Sequence, residues 1–197
     1  KYLVVGLGNI GQEYKDTRHN IGFDIIEYYA SILKSDFQPN KYGSTIKFKN
    51  KGRPVTLLRP STYVNLSGKA VSYYVNKENI KPENILIIAD DLNLPFGKFK
   101  IKNNGRSGGH NGIENIIKSL DSFIFPRLKF GIGNDFLKGH QINFVLGKWS
   151  KNEKEIISKK LLLSKEIIDS FIFKGIGPTM NKYLSLIHIS EPTRRLN

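Results

Sequence analysis

Three short apolar runs, each bounded by glycine, proline or aspartate, constrain the fold of this chain more than any other feature. They are rich in β-branched residues and cover Tyr2–Val5, Val55–Leu58 and Ile85–Ala89. Continuous apolar runs of this length are typical of strands buried on both faces, as in a mostly parallel sheet. Shorter or alternating runs predict further strands at Ser44–Lys49, Lys98–Lys102 and Arg127–Ile132.

Segments with helical periodicity lie between and after these strands. The predicted helices are Ile21–Leu33, Gly68–Asn76, Gly112–Leu120 and Glu153–Phe173. Asn20, Ser67 and Asn111 stand where N-cap residues are expected. Because strands and helices alternate, we predict an α/β fold: a single-domain three-layer sandwich in which helices flank a mixed, mostly parallel, twisted sheet.

The end of the chain requires separate treatment. Residues 184–194 read LSLIHISEPTR, which resembles one reading frame of a transposase sequencing adapter translated as protein. No repeat, low-complexity tract or linker divides the rest of the chain. We therefore expect one domain over residues 1–183 and a non-native tail over residues 184–197.

Two features of composition limit the class of protein. The chain contains no cysteine, which excludes a disulfide scaffold and thiolate chemistry. Its longest apolar runs fall far short of the roughly 18 residues that a membrane-spanning helix needs. We therefore expect a protein of the cytoplasm that is not associated with a membrane.

The charge favours a polyanionic partner. Lysine and arginine number 31 against 17 aspartates and glutamates, which gives a formal net charge of +14. Nucleic acid is the leading candidate and an anionic membrane surface the second. Compositional drift in an AT-biased genome remains an alternative source of part of the charge. Within the predicted strand Lys98–Lys102, alternation places three lysines on one face, which suits a phosphate track.

Two familiar motifs occur in contexts that argue against their usual functions. The string GLGNIG at Gly6–Gly11 fits the phosphate loop of a dinucleotide-binding fold, but helical periodicity begins only near Ile21. The string GRSGG at Gly105–Gly109 fits a nucleophile elbow around Ser107, but two asparagines separate it from the preceding strand. We expect neither a nicotinamide or flavin cofactor nor a serine nucleophile.

Polar side chains cluster where predicted strands end, which is where open α/β sheets bind ligands. They comprise one carboxylate, two imidazoles and three amides: Asn9, His19, Asn65, Asp90, His110 and Asn111. This set predicts hydrolysis by water. A histidine would take a proton from the water molecule, an aspartate would support the imidazolium that forms, and asparagine amides would hold the substrate carbonyl as it becomes an oxyanion.

Other interpretations of these residues stay open at this stage. A zinc site formed by His19, Asp90 and His110 is the rival hypothesis, although the sequence has no tight metal-binding spacing around them. The asparagines Asn20 and Asn111 could serve only as helix caps. Asp90 could cap a turn, and His19 could be an ordinary surface histidine.

Five blocks of sequence resemble bacterial peptidyl-tRNA hydrolase, and they occur in the same order. They are VGLGNIGQEYKDTRHNIGF, STYVNLSGKAV, ADDLNLPFGKFKIK, GGHNGI and FGIG, and the resemblance extends from Tyr2 to about Tyr183. It implies a monomeric single-domain α/β enzyme that hydrolyses the ester between peptide and tRNA in peptidyl-tRNA. Such an enzyme recycles tRNA from aborted translation and needs no metal or cofactor.

The resemblance also implies a function for each matching residue. His19 would be the general base and Asp90 its orienting partner. Substrate-binding residues would be Asn9, Tyr14, Asn65, His110 and Asn111, and the tRNA-binding lysines would be Lys100 and Lys102. The sequence departs from the family pattern at four positions without removing a catalytic group: Val64, Asn103, Asn104 and Lys129. The alternatives are an RNA-binding module without activity and the splicing-factor function that the same fold hosts in plastids.

Overall fold

The computed structural model describes residues 1–188, with side chains through Tyr183. Residues 189–197, which make up most of the predicted tail, lie outside the described residues. The backbone of residues 184–188 continues the last helix, α6 (Ile176–His188). Among residues 1–188, no helix has both the length and the apolar character needed to cross a membrane.

A seven-stranded sheet forms the centre of the domain. Its strands are β1 (Tyr2–Gly6), β2 (Gln38–Asn40), β3 (Gly43–Asn50), β4 (Arg53–Pro60), β5 (Ile85–Asp91), β6 (Phe99–Lys102) and β7 (Arg127–Gly131). They lie in the order β2-β3-β4-β1-β5-β7-β6. Strands β4, β1, β5 and β7 are mutually parallel, whereas β3 and β6 run in the opposite direction. The sheet is therefore mixed and mostly parallel, as predicted.

Helices cover both faces of the sheet. The remaining helices are α1 (Ile21–Leu33), α2 (Ser67–Glu78), α3 (Asn111–Leu120), α4 (Gln141–Val145) and α5 (Lys151–Lys174). Helices α1, α5 and α6 pack on the face that presents Val4 and Ile88, while α2 and α3 pack on the face that presents Val5 and Ile87. Successive strand residues thus enter two different apolar cores, which explains why the central strands are continuously apolar. The predicted three-layer α/β sandwich is confirmed.

The predicted strands and helices agree with the structure to within two residues at each end. The sequence analysis missed β2, α4 and α6. Strand β2 consists of three exposed residues, and α4 has only five residues, so neither carries a readable hydrophobic period. Helix α6 contains glycine and proline in its first turn, which obscures its start.

Asn20 occupies the predicted N-cap position of α1, but its side chain forms no cap hydrogen bond. The N-caps predicted at Ser67 and Asn111 are wrong. Ser67 is the first residue of α2, and its hydroxyl donates to the carbonyl oxygen of Val64. Asn111 is the first residue of α3, and the cap is His110, whose Nδ1 accepts from two backbone N–H groups. The Asn20 side chain makes a tertiary contact in place of capping, because it bonds the backbone of Asn9.

A close approach between β1 and α1 explains the first glycine of GLGNIG. A Cβ on Gly6 would lie 2.2 Å from the carbonyl oxygen of Gly22, and a Cβ on Gly22 would lie 2.5 Å from backbone atoms of Leu7 and Ile88. Two glycines facing each other let the start of α1 rest directly on β1 and β5. The string after β1 forms a loop with a 3-10 turn at Gln12–Tyr14 rather than leading straight into a helix.

We predict that Gly22→Ala lowers the free energy of unfolding by about 1–3 kcal/mol, because backbone atoms of two strands must move to admit the methyl group. Urea unfolding followed by circular dichroism measures the change. Gly177→Ala is the matched control, because a Cβ there would meet no atom within 4 Å. It should leave stability unchanged or raise it by up to about 1 kcal/mol. Equal stability of the two variants would contradict the close-approach explanation.

Candidate active site

The parallel strands β1, β4, β5 and β7 end at the same edge of the sheet, and the loops that follow them build the site. Strand β5 ends with Asp90 and Asp91, and a 3-10 turn, η2 (Arg18–Asn20), presents His19 beside it. The start of α3 brings His110 to the same carboxylate. These side chains border a small cavity of about 80 Å³, whose lining includes His19, Asp90, Ser107, His110, Asn111, Lys129, Gln141, Ile142 and Val145.

One oxygen of Asp90 contacts both imidazoles. Its Oδ1 lies 2.8 Å from Nδ1 of His19 and 3.0 Å from Nε2 of His110. The Asp90 side chain is only 3% exposed, compared with 15% for His19 and 8% for His110. The carboxylate is therefore shielded from water and depends on the two rings for its hydrogen bonds.

The hydrogen-bond network assigns the protons on both rings. Nδ1 of His110 accepts from the backbone N–H groups of Gly112 and Ile113, at 3.1 and 3.3 Å. Its proton therefore lies on Nε2, which donates to Asp90. Nδ1 of His19 likewise donates to the carboxylate, which leaves the lone pair on Nε2 of His19 available to a ligand in the cavity.

The pKa values of the acid and the base reflect this arrangement. Burial acts to raise the pKa of Asp90, but the two imidazoles and their hydrogen bonds outweigh it and hold that pKa far below its ordinary value. Burial acts to lower the pKa of His19, but the charge and hydrogen bond of Asp90 raise it above 6.5. Asp90 therefore remains a carboxylate over the pH range in which His19 titrates.

Asn9 is held by three hydrogen bonds beside this group. Its Oδ1 accepts from the N–H of Val64 at 2.8 Å, which directs the amide nitrogen of the side chain toward other partners. Its backbone is clamped by Asn20, whose Oδ1 accepts from the Asn9 N–H and whose Nδ2 donates to the Asn9 carbonyl. Asn9 and Asn20 line a different pocket, of about 480 Å³, and neither is part of the lining of the small cavity.

The other predicted substrate-binding residues surround the same edge. Asn111 lines the small cavity. Asn65 is exposed on the 3-10 turn Val64–Leu66, the turn whose first N–H holds Asn9. Tyr14 packs edge-to-face against Tyr63, with ring centroids 6.3 Å apart. The five predicted substrate-binding residues thus lie on loops, turns or a helix start at this edge of the sheet, and of the five only His110 and Asn111 line the small cavity.

The predicted tRNA-binding lysines lie on the edge strand β6. Lys100 pairs in register with Lys129 of β7, and Lys129 both lines the cavity and forms an ion pair with Asp91 at 2.8 Å. Lys100 is the largest cause of the lowered pKa of Lys102, followed by burial and Lys129. Clustered lysines that repel one another are characteristic of a surface that binds an anion.

Sequence reasoning missed several residues of this site. Asn20 appeared to be a helix cap but instead clamps Asn9. Three residues of α4 line the cavity, namely Gln141, Ile142 and Val145. A five-residue helix leaves no periodic signal, so the sequence did not indicate these three residues.

The three central side chains could also hold a metal ion. His19, Asp90 and His110 offer ligand atoms that all lie within 4.8 Å of one another. In the described arrangement the two imidazole nitrogens donate hydrogen bonds to the Asp90 carboxylate. The other nitrogen of His110 is already used to cap α3. The hydrogen-bonded arrangement therefore accounts for the geometry of the group without a metal ion.

Comparisons with known proteins agree on one family. The sequence profile described as peptidyl-tRNA hydrolase matches residues 3–191. The peptidyl-tRNA hydrolase of Phocaeicola vulgatus is 48% identical over 183 residues, which cover 93% of this chain and 98% of that protein. The enzyme of the same name from Clostridium botulinum is 46% identical, with coverage of 92% and 96%.

A solved structure gives the same result for the fold. The crystal structure of peptidyl-tRNA hydrolase from Acinetobacter baumannii superposes with a TM-score of 0.87 at 33% sequence identity, and the match covers 92% of this chain and 93% of that one. Similarity in sequence and in structure therefore extends over nearly the whole described chain. The chain belongs to the peptidyl-tRNA hydrolase family.

Proposed function

We propose that this protein hydrolyses the ester bond between peptide and tRNA in peptidyl-tRNA by means of a water molecule that His19 activates. The observation that carries the proposal is the His19–Asp90 pair. It leaves Nε2 of His19 free in a cavity, with a buried carboxylate bonded to the other ring nitrogen. Membership of the family supports the choice of substrate.

The proposed reaction transfers the acyl group directly to water. Nε2 of His19 takes a proton as the water oxygen attacks the ester carbonyl carbon, and Asp90 stabilises the imidazolium that forms. When the tetrahedral intermediate collapses, the bond to the terminal ribose oxygen breaks and that oxygen takes the proton from His19. The peptide leaves with a free carboxylate and the tRNA with a free hydroxyl.

Amide side chains at the same edge of the sheet complete the proposed site. Because Val64 fixes the oxygen of the Asn9 side chain, its NH₂ group is preorganised to donate to the peptide backbone or the developing oxyanion. Asn65 and Asn111 would bind the peptide main chain, and Tyr14 would line the site of the tRNA 3′ end. His110 would keep Asp90 in place through the second hydrogen bond to Oδ1.

We propose that tRNA phosphates follow the lysines of β6 toward the cavity. Lys100 and Lys102 lie on this edge strand, and Lys129 connects them to the cavity lining. The formal charge of +14 supports a polyanionic substrate. Lysine at position 129 supplies charge without the bidentate geometry of arginine.

We also propose that the protein acts as a monomer in the cytoplasm, because the family resemblance implies a monomer and tRNA is its substrate. The predicted domain of residues 1–183 and non-native tail of residues 184–197 stay a proposal. Helix α6 extends to His188, and the family match extends to residue 191. Comparing the full chain with one ending at Tyr183 tests this boundary.

His19→Ala should lower kcat for N-acetyl-aminoacyl-tRNA by about 10² to 10⁴ while leaving tRNA affinity nearly unchanged, because the base is lost and the lysines remain. A quenched assay of ester cleavage and a binding titration measure the two effects. EDTA should not affect the parent enzyme. Activity lost on chelation would revive the zinc hypothesis, and tight tRNA binding without cleavage by the parent would favour an RNA-binding module.

The pH dependence should report the ionisation of His19. The base must be neutral, so kcat/KM should fall as the pH drops through a pKa that Asp90 raises above 6.5. In Asp90→Asn the attraction to the imidazolium is lost while burial remains, so the midpoint should move to lower pH and the plateau rate should fall. A midpoint that stayed in place would argue against the pairing of these residues.

Lys100→Gln and Lys102→Gln should each weaken binding of tRNA and reduce the slope of log K against log salt concentration by about 1, with a small effect on kcat. Fluorescence titrations over a range of salt concentrations measure both quantities. Lys81→Gln is the matched control, because this exposed lysine precedes β5 at the opposite edge of the sheet. An equal loss of slope in the control would mean that net charge alone sets the affinity.

A further inference from the structure

Arg18, the residue before His19, connects three parts of the molecule. Its guanidinium donates from one nitrogen to the carbonyl oxygen of Phe144 in α4, at 3.3 Å. The other nitrogen donates to both carboxylate oxygens of Glu153 in α5, at 3.1 and 3.2 Å. Aromatic rings cover the same group, since its central carbon lies 4.5 Å from the ring centroid of Phe144 and 5.3 Å from that of Trp149.

The segment around Arg18 is also paired with the chain that follows α4. The N–H of Arg18 donates to the carbonyl oxygen of Gly147 at 3.0 Å, and Thr17 forms an isolated antiparallel bridge with Lys148. A Cβ on Gly147 would lie 2.8 Å from the guanidinium. A methyl group at this position would displace the guanidinium from its observed place, which gives a physical reason for glycine here.

Helix α4 depends on such contacts because it is short. It has five residues, fewer than an isolated helix needs to persist in water. Yet Gln141, Ile142 and Val145 of this helix form one wall of the cavity that contains His19. The position of that wall must therefore be set by contacts with the rest of the domain, and the guanidinium contacts the helix at Phe144.

Glu153 makes the anchor rigid. This residue belongs to a capping box at the start of α5, in which its carboxylate accepts from the N–H of Ser150 at 2.7 Å. Burial acts to raise the pKa of Glu153, but the hydrogen bonds from Ser150 and Arg18 and the charge of Arg18 outweigh it and lower the pKa. Arg18 is 15% exposed and Glu153 24%, so the ion pair is largely protected from solvent.

We infer that Arg18 is a positioning residue for the proposed reaction, and that it acts by anchoring α4 as the wall over His19. The inference rests on the proposed function. His19 itself has separate support, because Asp90 holds its ring and the next residue, Asn20, is bonded to Asn9. Loss of the arginine should therefore release α4 while leaving the His19–Asp90 pair intact.

This separation predicts a specific kinetic signature. In the full chain, Arg18→Gln and Glu153→Gln should each lower kcat/KM for N-acetyl-aminoacyl-tRNA about ten- to hundredfold, because a misplacement of about 1 Å at a reacting site can cost about 10²-fold in rate. The pH midpoint of the acid limb should match that of the parent. Arg18→Lys should recover part of the loss, since an ammonium paired with Glu153 can still lie over the Phe144 ring of α4 but cannot also bond the Phe144 carbonyl.

A second measurement reports on α4 without using activity. The N–H of Phe144 donates to the carbonyl oxygen of His140, just before α4, and the N–H of Leu146 donates to that of Ile142, within α4. Amide hydrogen exchange at both positions should become about tenfold faster in Arg18→Gln. Exchange at Ile87, whose N–H bonds the carbonyl of Pro126 in the sheet, should stay unchanged. Faster exchange at both places would mean that the domain is destabilised as a whole and would overturn the inference.

Asp16 and Lys154 supply the matched control. Their exposed ion pair, at 2.8 Å, joins the same two segments of the chain but does not involve α4. Asp16→Asn and Lys154→Gln should change kcat/KM by less than about twofold, as expected for a solvent-screened pair. A loss equal to that of Arg18→Gln would show that kcat/KM depends on the attachment of α5 to the segment around Asp16, and not on the contact between Arg18 and α4.

A double variant tests whether Arg18 acts through the wall. Ile142→Ala trims a side chain that lines the cavity, and combining it with Arg18→Gln should cost less than the product of the two separate losses. If the parent is active, any of three results would overturn this inference but not the proposed function. They are independent losses in the double variant, a shifted pH midpoint in Arg18→Gln, and full activity of both Arg18→Gln and Glu153→Gln. A parent that cleaves no substrate would overturn the proposed function and this inference with it.

Discussion

The site is organised around a single buried carboxylate. Asp90 is almost fully withdrawn from water, and an unpaired charge in that position would cost several kcal/mol. Two imidazoles satisfy it, one from the turn before α1 and the other from the start of α3. The need to pair one charge therefore ties together residues 19, 90 and 110, which lie far apart in the chain. It also assigns the protons on both rings, and so decides which nitrogen faces the cavity.

The sheet and its glycines make that pairing possible. Strand β5 delivers Asp90 at its carboxyl end, beside β1, and the contact of Gly6 with Gly22 lets α1 rest directly on these strands. The 3-10 turn that carries His19 leads directly into α1, so the depth of the helix determines the distance between His19 and Asp90. A glycine pattern that resembles a phosphate loop thus contributes to packing beneath the site.

Much of the fold and the centre of the site could be predicted from the sequence. Continuous apolar runs identified the central strands because both faces of such strands are buried. Polar residues after those strands, together with the family resemblance, singled out His19 and Asp90. Short elements were missed, because β2 and α4 are stabilised by neighbours and not by a periodic pattern of their own. Asn20 was taken for a helix cap, since a local preference cannot reveal a partner eleven residues away.

The sequence by itself determined the class of fold, the strand ends at which chemistry is possible, and the residue types available there. Those properties follow from local periodicity and from the geometry of parallel sheets. Only the tertiary structure decided how the residues are used: which ring nitrogen is free, which amide is fixed, and that Arg18 contacts α4. These outcomes depend on the pairing of buried polar groups across long separations in the chain, for which local sequence carries no signal.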